Sequence, residues 1–307
     1  MRVLDSIQTA QALPYAKLVS AIAEAALQLG SGGINAPERQ VVKIDASSVL
    51  LCMPAVARDI SVTKLITVHG DNARHGLPAI QGEVVVFDTA TGWRLALLDG
   101  PTVTARRTAA VTLLGIEKLA STKPASALLI GTGVQAAAHA DALIEYFGLS
   151  RFRIAGRTAA GAQAFCDTLW TRHSDVAATP VAISELDAHC QDVDLVIALT
   201  TAKSPVIPAG LRPDTLAVGV GAFKPEMAEF PAELLHARAI VVDHLEGARH
   251  EAGDLIRAEI EWNAVRDLGD VLAHGVERTG VMPVLKTVGH AAWDLAAARV
   301  ATGEMDR

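Results

Sequence analysis

The chain has 307 residues, of which 50% are hydrophobic, 20% charged and 4% aromatic, and its formal net charge is −7. A chain of this length is long enough for two domains with packed cores. The composition excludes collagen-like, low-complexity and disordered proteins. The net negative charge argues against nucleic acid or an anionic membrane as the main partner.

The three cysteines, Cys52, Cys166 and Cys190, are widely spaced and form no CxxC or Cys/His metal-binding pattern. We therefore expect free thiols in a reducing compartment, with no disulfide framework and no metal site. The N-terminus has no apolar core of the signal-peptide type, and no apolar run approaches the ~20 residues of a membrane span. These features predict a soluble, cytoplasmic protein.

The first hundred residues predict a helix followed by short strands. Between 14 and 30, apolar side chains recur at helical spacing, and the glycine-rich segment 30–33 ends this helix. Strand-like runs separated by turn residues then follow at 41–44, 49–54, 61–69, 82–87 and 93–98. The segment 88–92 is typical of a hairpin connection. Strands this close together, with no helix between them, predict an antiparallel sheet or a small barrel.

From about residue 102 the pattern changes to helices that alternate with apolar strands. A long helix leads to the strand SALLI, and further strands are predicted at 151–156, 180–183, 194–200, 215–221 and 239–243. Such strands between helices are typical of a parallel sheet covered on both faces. The segment 283–301 predicts a last strand and a closing helix. We therefore expect an α/β protein with a Rossmann-type, doubly wound parallel sheet at 119–284, and an α+β domain built from 1–118 and 285–307.

A glycine motif follows the strand SALLI and begins the next predicted helix. Its residues are Gly131, Thr132, Gly133, Val134, Gln135 and Ala136, the G-x-G-x-x-A form of the dinucleotide-binding fingerprint. The first glycine would make the tight turn, the second would let the backbone approach a pyrophosphate, and the alanine would keep the helix close to the strand. A plain strand–helix turn is the alternative. The strand before the motif, the helix after it and the βα units that follow favour a cofactor site.

The end of the second strand distinguishes NAD from NADP. An NAD site places an acidic residue there, ~20 residues beyond the glycines, to bind the ribose 2′-hydroxyl. This strand ends in Gly156, Arg157 and Thr158, with no carboxylate. An arginine attracts a 2′-phosphate, which a carboxylate would repel. We therefore predict NADPH as the cofactor, with NADP preferred over NAD; the alternative is a solvated surface arginine.

Basic residues interrupt apolar patterns in the first half of the chain. Lys64 shares one strand face with β-branched residues, so it is either a site amine or a lysine that snorkels at a strand end. Arg107 lies on the apolar stripe of the helix after Pro101, which indicates a site residue or a buried structural salt bridge. Arg106 fits nearly as well, and spacing alone does not separate the two. Arg39 has no periodic context and, by pattern alone, is a loop arginine.

Together these stretches resemble the ornithine cyclodeaminase/mu-crystallin family over nearly the whole chain. The TxxRTAA helix followed by GxGxQA is specific to that family rather than to Rossmann proteins in general. The segments that carry the resemblance are 62–72, 76–92, 104–110, 130–136, 156–158, 251–255 and 286–298.

The resemblance implies roles for the basic residues. Arg39, Lys64 and Arg107 match the family's substrate-binding residues, with Lys64 and Arg107 as the expected catalytic pair. Arg107 is favoured over Arg106 because it directly precedes Thr-Ala-Ala, and two arginines suit bidentate capture of a carboxylate. The turn 156–158 resembles the family's NADPH-binding form. The resemblance also implies a homodimer, formed through the substrate-binding domain.

One segment departs from the family's cyclodeaminases, which carry a catalytic aspartate in a stretch of the type AVGGD-x-PG. Residues 217–226 read AVGVGAFKPE, with no carboxylate at that place. At that place the chain therefore lacks the acid–base group that ornithine cyclodeamination needs. The GAFKPEM version is similar to relatives that reduce cyclic ketimines, the Δ1-pyrroline-2-carboxylate and Δ1-piperideine-2-carboxylate reductases.

We therefore expect an NADPH-dependent ketimine reductase that produces L-proline or L-pipecolate from a small cyclic imino acid. The alternatives are ornithine or lysine cyclodeamination, an alanine-dehydrogenase-like reductive amination, and a non-enzymatic NADPH-dependent binding protein of mu-crystallin type. Three residues at the ends of two later strands are candidates for the ribose–nicotinamide end of the cofactor, or else ordinary strand-end residues; they are Thr200, Thr201 and Gly219.

Overall fold

The computed structural model describes residues 1–303, which form fourteen strands and eleven α-helices. The elements up to the third helix are β1 (Arg2–Leu4), α1 (Ser6–Gln11), α2 (Tyr15–Gly30), β2 (Gln40–Lys43), β3 (Ser48–Val56), β4 (Ile60–His69), β5 (Ile80–Asp88), β6 (Arg94–Asp99) and α3 (Gly100–Leu119). Those that follow are β7 (Ser126–Ile130), α4 (Val134–Phe147), β8 (Arg151–Ala155), α5 (Ala159–Arg172), β9 (Ala177–Val181), α6 (Leu186–His189), β10 (Leu195–Ala198), β11 (Leu216–Gly219), α7 (Ala232–Ala237), β12 (Ile240–Val242), α8 (Leu245–Glu251), α9 (Gly253–Arg257), β13 (Arg266–Asp267), α10 (Leu268–His274), β14 (Val284–Lys286) and α11 (Ala291–Gly303).

The chain divides into two compact units. Unit 1 consists of Met1–Ala110 and the C-terminal residues from His290 onward, and unit 2 is Val111–Gly289. The sequence-based boundaries, 118/119 and 284/285, fall at different residues because α3 crosses the first junction and β14 lies before the second.

Unit 1 contains a six-stranded sheet in the order β1-β6-β5-β4-β3-β2. The consecutive strands β2 to β6 pair antiparallel, and β1 joins the edge parallel to β6. The predicted antiparallel sheet is therefore confirmed for these five strands, including the hairpin between β5 and β6. The edge strand β1 was not predicted, because three residues are too few to show a strand pattern.

Helix α11 packs on the sheet of unit 1, and helix α2 packs against α11. Helix α2 buries Leu18, Val19 and Ile22 on one stripe, in agreement with its helical spacing. Helix α11 is rich in alanine and buried along most of its length, so that it packs closely against α2 and the strands β3 and β4. One charged side chain, Asp294, is fully buried in this helix.

Unit 2 contains an eight-stranded sheet in the order β13-β12-β14-β11-β10-β7-β8-β9, with all neighbours parallel. Strand β7 lies inside the sheet, flanked by β10 on one side and β8 on the other, which is the doubly wound arrangement. This confirms the predicted Rossmann-type sheet. The order of the strands reverses between β7 and β10, and ligands of such sheets bind beyond the carboxyl ends of the strands at this reversal.

The position of strand β14 corrects the sequence-based domain assignment. Residues 285–307 were expected to rejoin the first domain, but β14 pairs with β11 and β12 inside the parallel sheet. Its residues are buried. Leu285 packs against Gly115 of α3, since a Cβ on that glycine would lie 2.3 Å from Leu285 Cδ2. A short apolar strand before a helix has the same pattern in either domain, which is why the sequence did not distinguish them.

Two negative findings apply to residues 1–303. No helix in this range has the length and apolar character that crossing a membrane requires. In the same range, no three side chains of the types that bind metals come together. The three cysteines are free thiols.

Candidate active site

The glycine turn after β7 explains the first glycine of the motif. Gly131 has a φ of +127°, a region that side-chain-bearing residues rarely adopt. A Cβ at this position would lie 2.6 Å from the Leu199 carbonyl oxygen. Gly131 therefore allows the chain to turn tightly against the end of β10.

The second glycine of the motif lies in a different environment. Gly133 precedes α4 as its N-cap, and no side chain caps the first amides of this helix. A Cβ built on Gly133 meets no atom within 4 Å, whereas Ala136 is fully buried. Within residues 1–303, the first turn of α4 thus has N–H groups that no side chain caps, next to open space, as the phosphate-binding interpretation requires.

The turn after β8 lies beside the glycine loop. A Cβ on Gly156 would lie 2.9 Å from Thr132 Cγ2, so the two turns pack together. Arg157 is exposed, and the Thr158 hydroxyl accepts a hydrogen bond from Gly161 N at 3.1 Å as the N-cap of α5. The Thr158 side chain thus holds the helix start, and the Arg157 guanidinium is at the surface.

A cavity of about 310 Å³ opens next to this turn. Its lining is mostly apolar and comes from the start of α5 and the end of β9; the residues are Ala159, Ala160, Gln163, Pro180, Val181 and Ala182. The lining begins two residues after Arg157 in the chain.

The ends of β10 and β11 are joined by a carboxylate that sequence reasoning did not single out. Glu229 Oε1 accepts hydrogen bonds from Thr200 N at 2.7 Å and Thr200 Oγ1 at 3.0 Å. Its Oε2 accepts from Gly221 N at 2.7 Å and Ala222 N at 3.2 Å. Burial raises the pKa of Glu229, and the charge of Lys286 opposes that shift. Glu229 therefore fixes the two loops beyond these strands.

The three strand-end candidates differ in exposure. Thr201 is exposed and Thr200 is partly exposed, whereas Gly219 is buried. A Cβ on Gly219 would lie 2.4 Å from the Phe230 ring, and its carbonyl accepts a hydrogen bond from Lys286 Nζ at 3.3 Å. Packing explains this glycine, so of the three candidates Thr200 and Thr201 are the ones that reach the surface.

The basic residues of unit 1 meet at a buried aspartate. Lys64, on β4, places Nζ 3.1 Å from Oδ1 and 2.9 Å from Oδ2 of Asp294 on α11. Arg107, on α3, donates from Nε to Asp294 Oδ1 at 3.1 Å. The side chains of Lys64 and Asp294 are 1% and 0% exposed. The expected apolar face of β4 is confirmed, and the lysine does not snorkel to solvent.

Burial and charge both act on the Lys64 ammonium. Burial is the largest effect and lowers its pKa to about 8, and the Asp294 carboxylate opposes the shift. The positive charges of Arg107 and Arg39 lower the pKa further. Arg39, in the segment before β2, is therefore close enough to act on Lys64, although its side chain is partly exposed.

The structure separates Arg106 from Arg107. Arg106 donates from Nε to the Leu13 carbonyl oxygen at 2.8 Å, and its guanidinium lies 3.9 Å from the Tyr15 ring centroid. These contacts tie α3 to the segment before α2. Arg107 instead points into the cluster with Lys64 and Asp294.

Sequence reasoning missed two of the buried carboxylates, Glu229 and Asp294. Asp294 lies 230 residues from Lys64 and 187 from Arg107 along the chain. Its only sequence signal is a single acid in the otherwise apolar run AAWDLAAA. Glu229 carries a similar signal, because it stands next to Phe230 in a segment that is otherwise buried. An acid in a buried apolar segment indicates a partner elsewhere in the chain.

A doubly wound parallel sheet, with an open glycine turn at the end of the strand where the strand order reverses, defines a dinucleotide-binding protein of the Rossmann type. The family model described as "Ornithine cyclodeaminase/mu-crystallin family" matches residues 2–306, and the chain belongs to this family.

Similar proteins are found over nearly the whole length. The chain is 44% identical over 302 residues to Delta(1)-pyrroline-2-carboxylate reductase 2 of Burkholderia ambifaria, covering 98% of this chain and 95% of the relative. It is 45% identical over 299 residues to the Delta(1)-pyrroline-2-carboxylate/Delta(1)-piperideine-2-carboxylate reductase of Azospirillum brasilense, covering 97% and 94%. The structure of Thermococcus litoralis Delta(1)-pyrroline-2-carboxylate reductase, in complex with NADH and L-proline, has the same fold. It matches with a TM-score of 0.90 and 24% identity, covering 99% of this chain and 97% of that one.

Proposed function

We propose that this protein is an NADPH-dependent reductase of cyclic ketimines, which converts Δ1-pyrroline-2-carboxylate to L-proline and Δ1-piperideine-2-carboxylate to L-pipecolate. The observation that carries the proposal is the buried group of Lys64, Arg107 and Asp294, which places two cations on one carboxylate. The 44% and 45% identities to reductases of these substrates support it.

The substrate carboxylate is the natural ligand of this group. Arg107 uses Nε for Asp294, and within the described part of the chain its terminal nitrogens donate to no protein acceptor. Those nitrogens suit the two oxygens of a carboxylate. Lys64 adds a positive charge beside them, and Arg39 contributes a second guanidinium close to Lys64.

The residues of unit 2 fit a dinucleotide. Gly133 and the uncapped start of α4 would hold the pyrophosphate, and Thr200 and Thr201 would lie at the nicotinamide end. We assign the 2′-phosphate of NADPH to Arg157, because this arginine is exposed at the turn where an NAD site carries an acid. When bound, the reduced nicotinamide supplies the hydride that adds to C2 of the imine.

The reaction requires no strong acid from the protein. A cyclic imine is basic enough to enter as the protonated iminium, so the nitrogen already carries its proton when C2 is reduced. The segment 219–223 has no carboxylate, and the nearby Glu229 accepts four hydrogen bonds from Thr200, Gly221 and Ala222. Those bonds commit Glu229 to holding the backbone rather than to proton transfer.

The test is an assay with purified protein, NADPH and each cyclic imine in the absence of ammonia. We expect oxidation of NADPH with the formation of proline or pipecolate. Parallel assays contain ornithine or lysine with NADP⁺, and pyruvate with ammonia and NADPH. Turnover in those assays without imine reduction would replace the proposal with cyclodeamination or reductive amination. Binding of NADPH with no turnover in any assay would leave a binding protein.

We also propose that the protein is a homodimer formed through unit 1. The face of the six-stranded sheet opposite Lys64 exposes the apolar side chains of Val42, Val56 and Leu65. Apolar side chains grouped on one sheet face are typical of an interface. Sedimentation equilibrium should give twice the mass of the chain, and Leu65→Glu should shift the protein to a monomer.

A further inference from the structure

We propose that Asp294 is the positioning residue of the substrate site: it orients Lys64 and Arg107 together and limits the buried site to one uncompensated positive charge, so that the site selects a single carboxylate. The inference rests on the proposed function, because it concerns the same two cations. It adds Asp294 to the proposed substrate-binding residues Arg39, Lys64 and Arg107. It also adds a limit on how many carboxylates the ligand can carry.

The geometry places Asp294 at the centre of the group. Lys64 approaches from β4, Arg107 from α3, and Asp294 itself from α11, so three separate elements converge on one carboxylate. Within residues 1–303, Asp294 is the only hydrogen-bond acceptor of the Lys64 ammonium. Asp294 thus determines where both cationic groups lie.

The charges do not balance inside the protein. With Lys64 and Arg107 positive and Asp294 negative, the three buried side chains carry a net charge of +1. A buried pair of one acid and one base balances its own charge, whereas a second buried cation adds a desolvation cost that no protein charge in the group offsets. One monocarboxylate ligand neutralises the group. A second ligand carboxylate would leave it negative, unless the partly exposed Arg39 compensated for it.

The charge of Lys64 depends on Asp294. The groups that act on this ammonium are Asp294 from α11, Arg107 from α3 and Arg39 from the segment before β2. Asp294 favours the charged form and the two arginines oppose it. Removal of the carboxylate leaves an ammonium beside two guanidinium groups in a buried site, so Lys64 would lose its proton at lower pH.

The experiment measures the binding of pyrrole-2-carboxylate, a planar carboxylate whose ring nitrogen does not gain a proton in the range studied. Calorimetry with saturating NADP⁺ gives its Kd from pH 6 to pH 9.5. For the wild type, whose Lys64 has a pKa of about 8, we expect Kd to be constant below that pH and to rise about tenfold per pH unit above it. In Asp294→Asn, the midpoint of this rise should move down by about one pH unit or more.

The matched control is Asp59→Asn. Asp59 pairs with Arg299, which lies on the same helix as Asp294, but it does not touch Lys64 or Arg107. The pH profile of this variant should match the wild type. A folded Asp294→Asn variant with the wild-type midpoint would overturn the proposal, because a purely structural aspartate would not set the charge of Lys64.

A second variant keeps the test decisive if Asp294→Asn does not fold. Asp294→Glu keeps the charge but moves the carboxylate by one methylene, so the midpoint should stay near pH 8 while Kd rises about tenfold or more. Wild-type affinity in this variant would contradict the positioning role. Failure of the proposed function is a separate result, because it appears as absent imine turnover in a wild type that still binds pyrrole-2-carboxylate with the predicted pH dependence.

Discussion

Arg106 and Arg107 are neighbours on α3 with the same charge and different surroundings. Arg107→Met removes a guanidinium from the substrate group but leaves Lys64 and Asp294 as a balanced pair, so the variant should fold. We expect kcat/KM for the imine to fall by about two to three orders of magnitude, because a buried charge contact is lost. The Kd for NADPH should change little. Imine reduction assays and NADPH fluorescence titrations measure the two effects.

Arg106→Met is the matched control for this prediction. It removes the hydrogen bond to Leu13 and the stacking on Tyr15, so we expect a lower Tm with nearly unchanged imine turnover in the folded protein. Equal losses of activity in the two variants would contradict the distinction. Loss of folding in Arg107→Met alone would favour a purely structural salt bridge.

At the level of residues, the sequence predicted the cations better than the anions. Period-two and helical spacing place Lys64 and Arg107 on buried faces, because a charge in an apolar stripe is visible locally. Spacing did not separate Arg106 from Arg107, since adjacent helical positions differ by only 100° around the axis. Asp294 was missed because its partners are joined to it only through tertiary contacts.

At the level of elements, the two motif glycines have different physical requirements and should respond differently to alanine. In Gly131→Ala, the positive φ and the approach to the Leu199 carbonyl oxygen should cost about 2 kcal/mol or more and lower Tm by about 3 °C or more. Gly133→Ala has open space for its methyl group and should keep the wild-type Tm. Its Kd for NADPH should rise about tenfold or more, because the methyl group occupies the approach of the pyrophosphate.

Thermal unfolding and cofactor titration of the two variants give the comparison. A large loss of Tm in Gly133→Ala would indicate a plain strand–helix turn in which both glycines are structural. An unchanged Kd for NADPH in a folded Gly133→Ala variant would contradict the assignment of the pyrophosphate to this turn.

Long periodic elements were predicted well, and short ones were not. The longer strands of the parallel sheet lie at or near the predicted segments, because continuous apolar runs between helices are typical of such a sheet. Strand β13 has only two residues and no pattern of its own. Strand β14 was recognised but assigned to the other domain, because its place between β11 and β12 depends on tertiary pairing.

At the level of the whole molecule, a net charge of −7 repels anions, although both proposed ligands are anionic. Attraction must therefore be local, and the two proposed anion sites differ in their exposure. Arg157 is exposed, whereas Lys64 and Arg107 are buried. Salt screens exposed charges strongly and buried ones much less, since the Debye length falls from about 10 Å at 0.1 M to about 3 Å at 1 M ionic strength.

Ionic strength should therefore separate the two sites. Between about 0.1 M and 1 M NaCl, we expect the ratio of kcat/KM for NADPH to that for NADH to fall about fivefold or more, because the 2′-phosphate and Arg157 are screened. The Kd of pyrrole-2-carboxylate should change by less than about twofold over the same range. Arg157→Ala should show a low NADPH/NADH ratio at both salt concentrations. An NADPH preference that survives in Arg157→Ala, or that salt does not alter in the wild type, would assign the 2′-phosphate to another group.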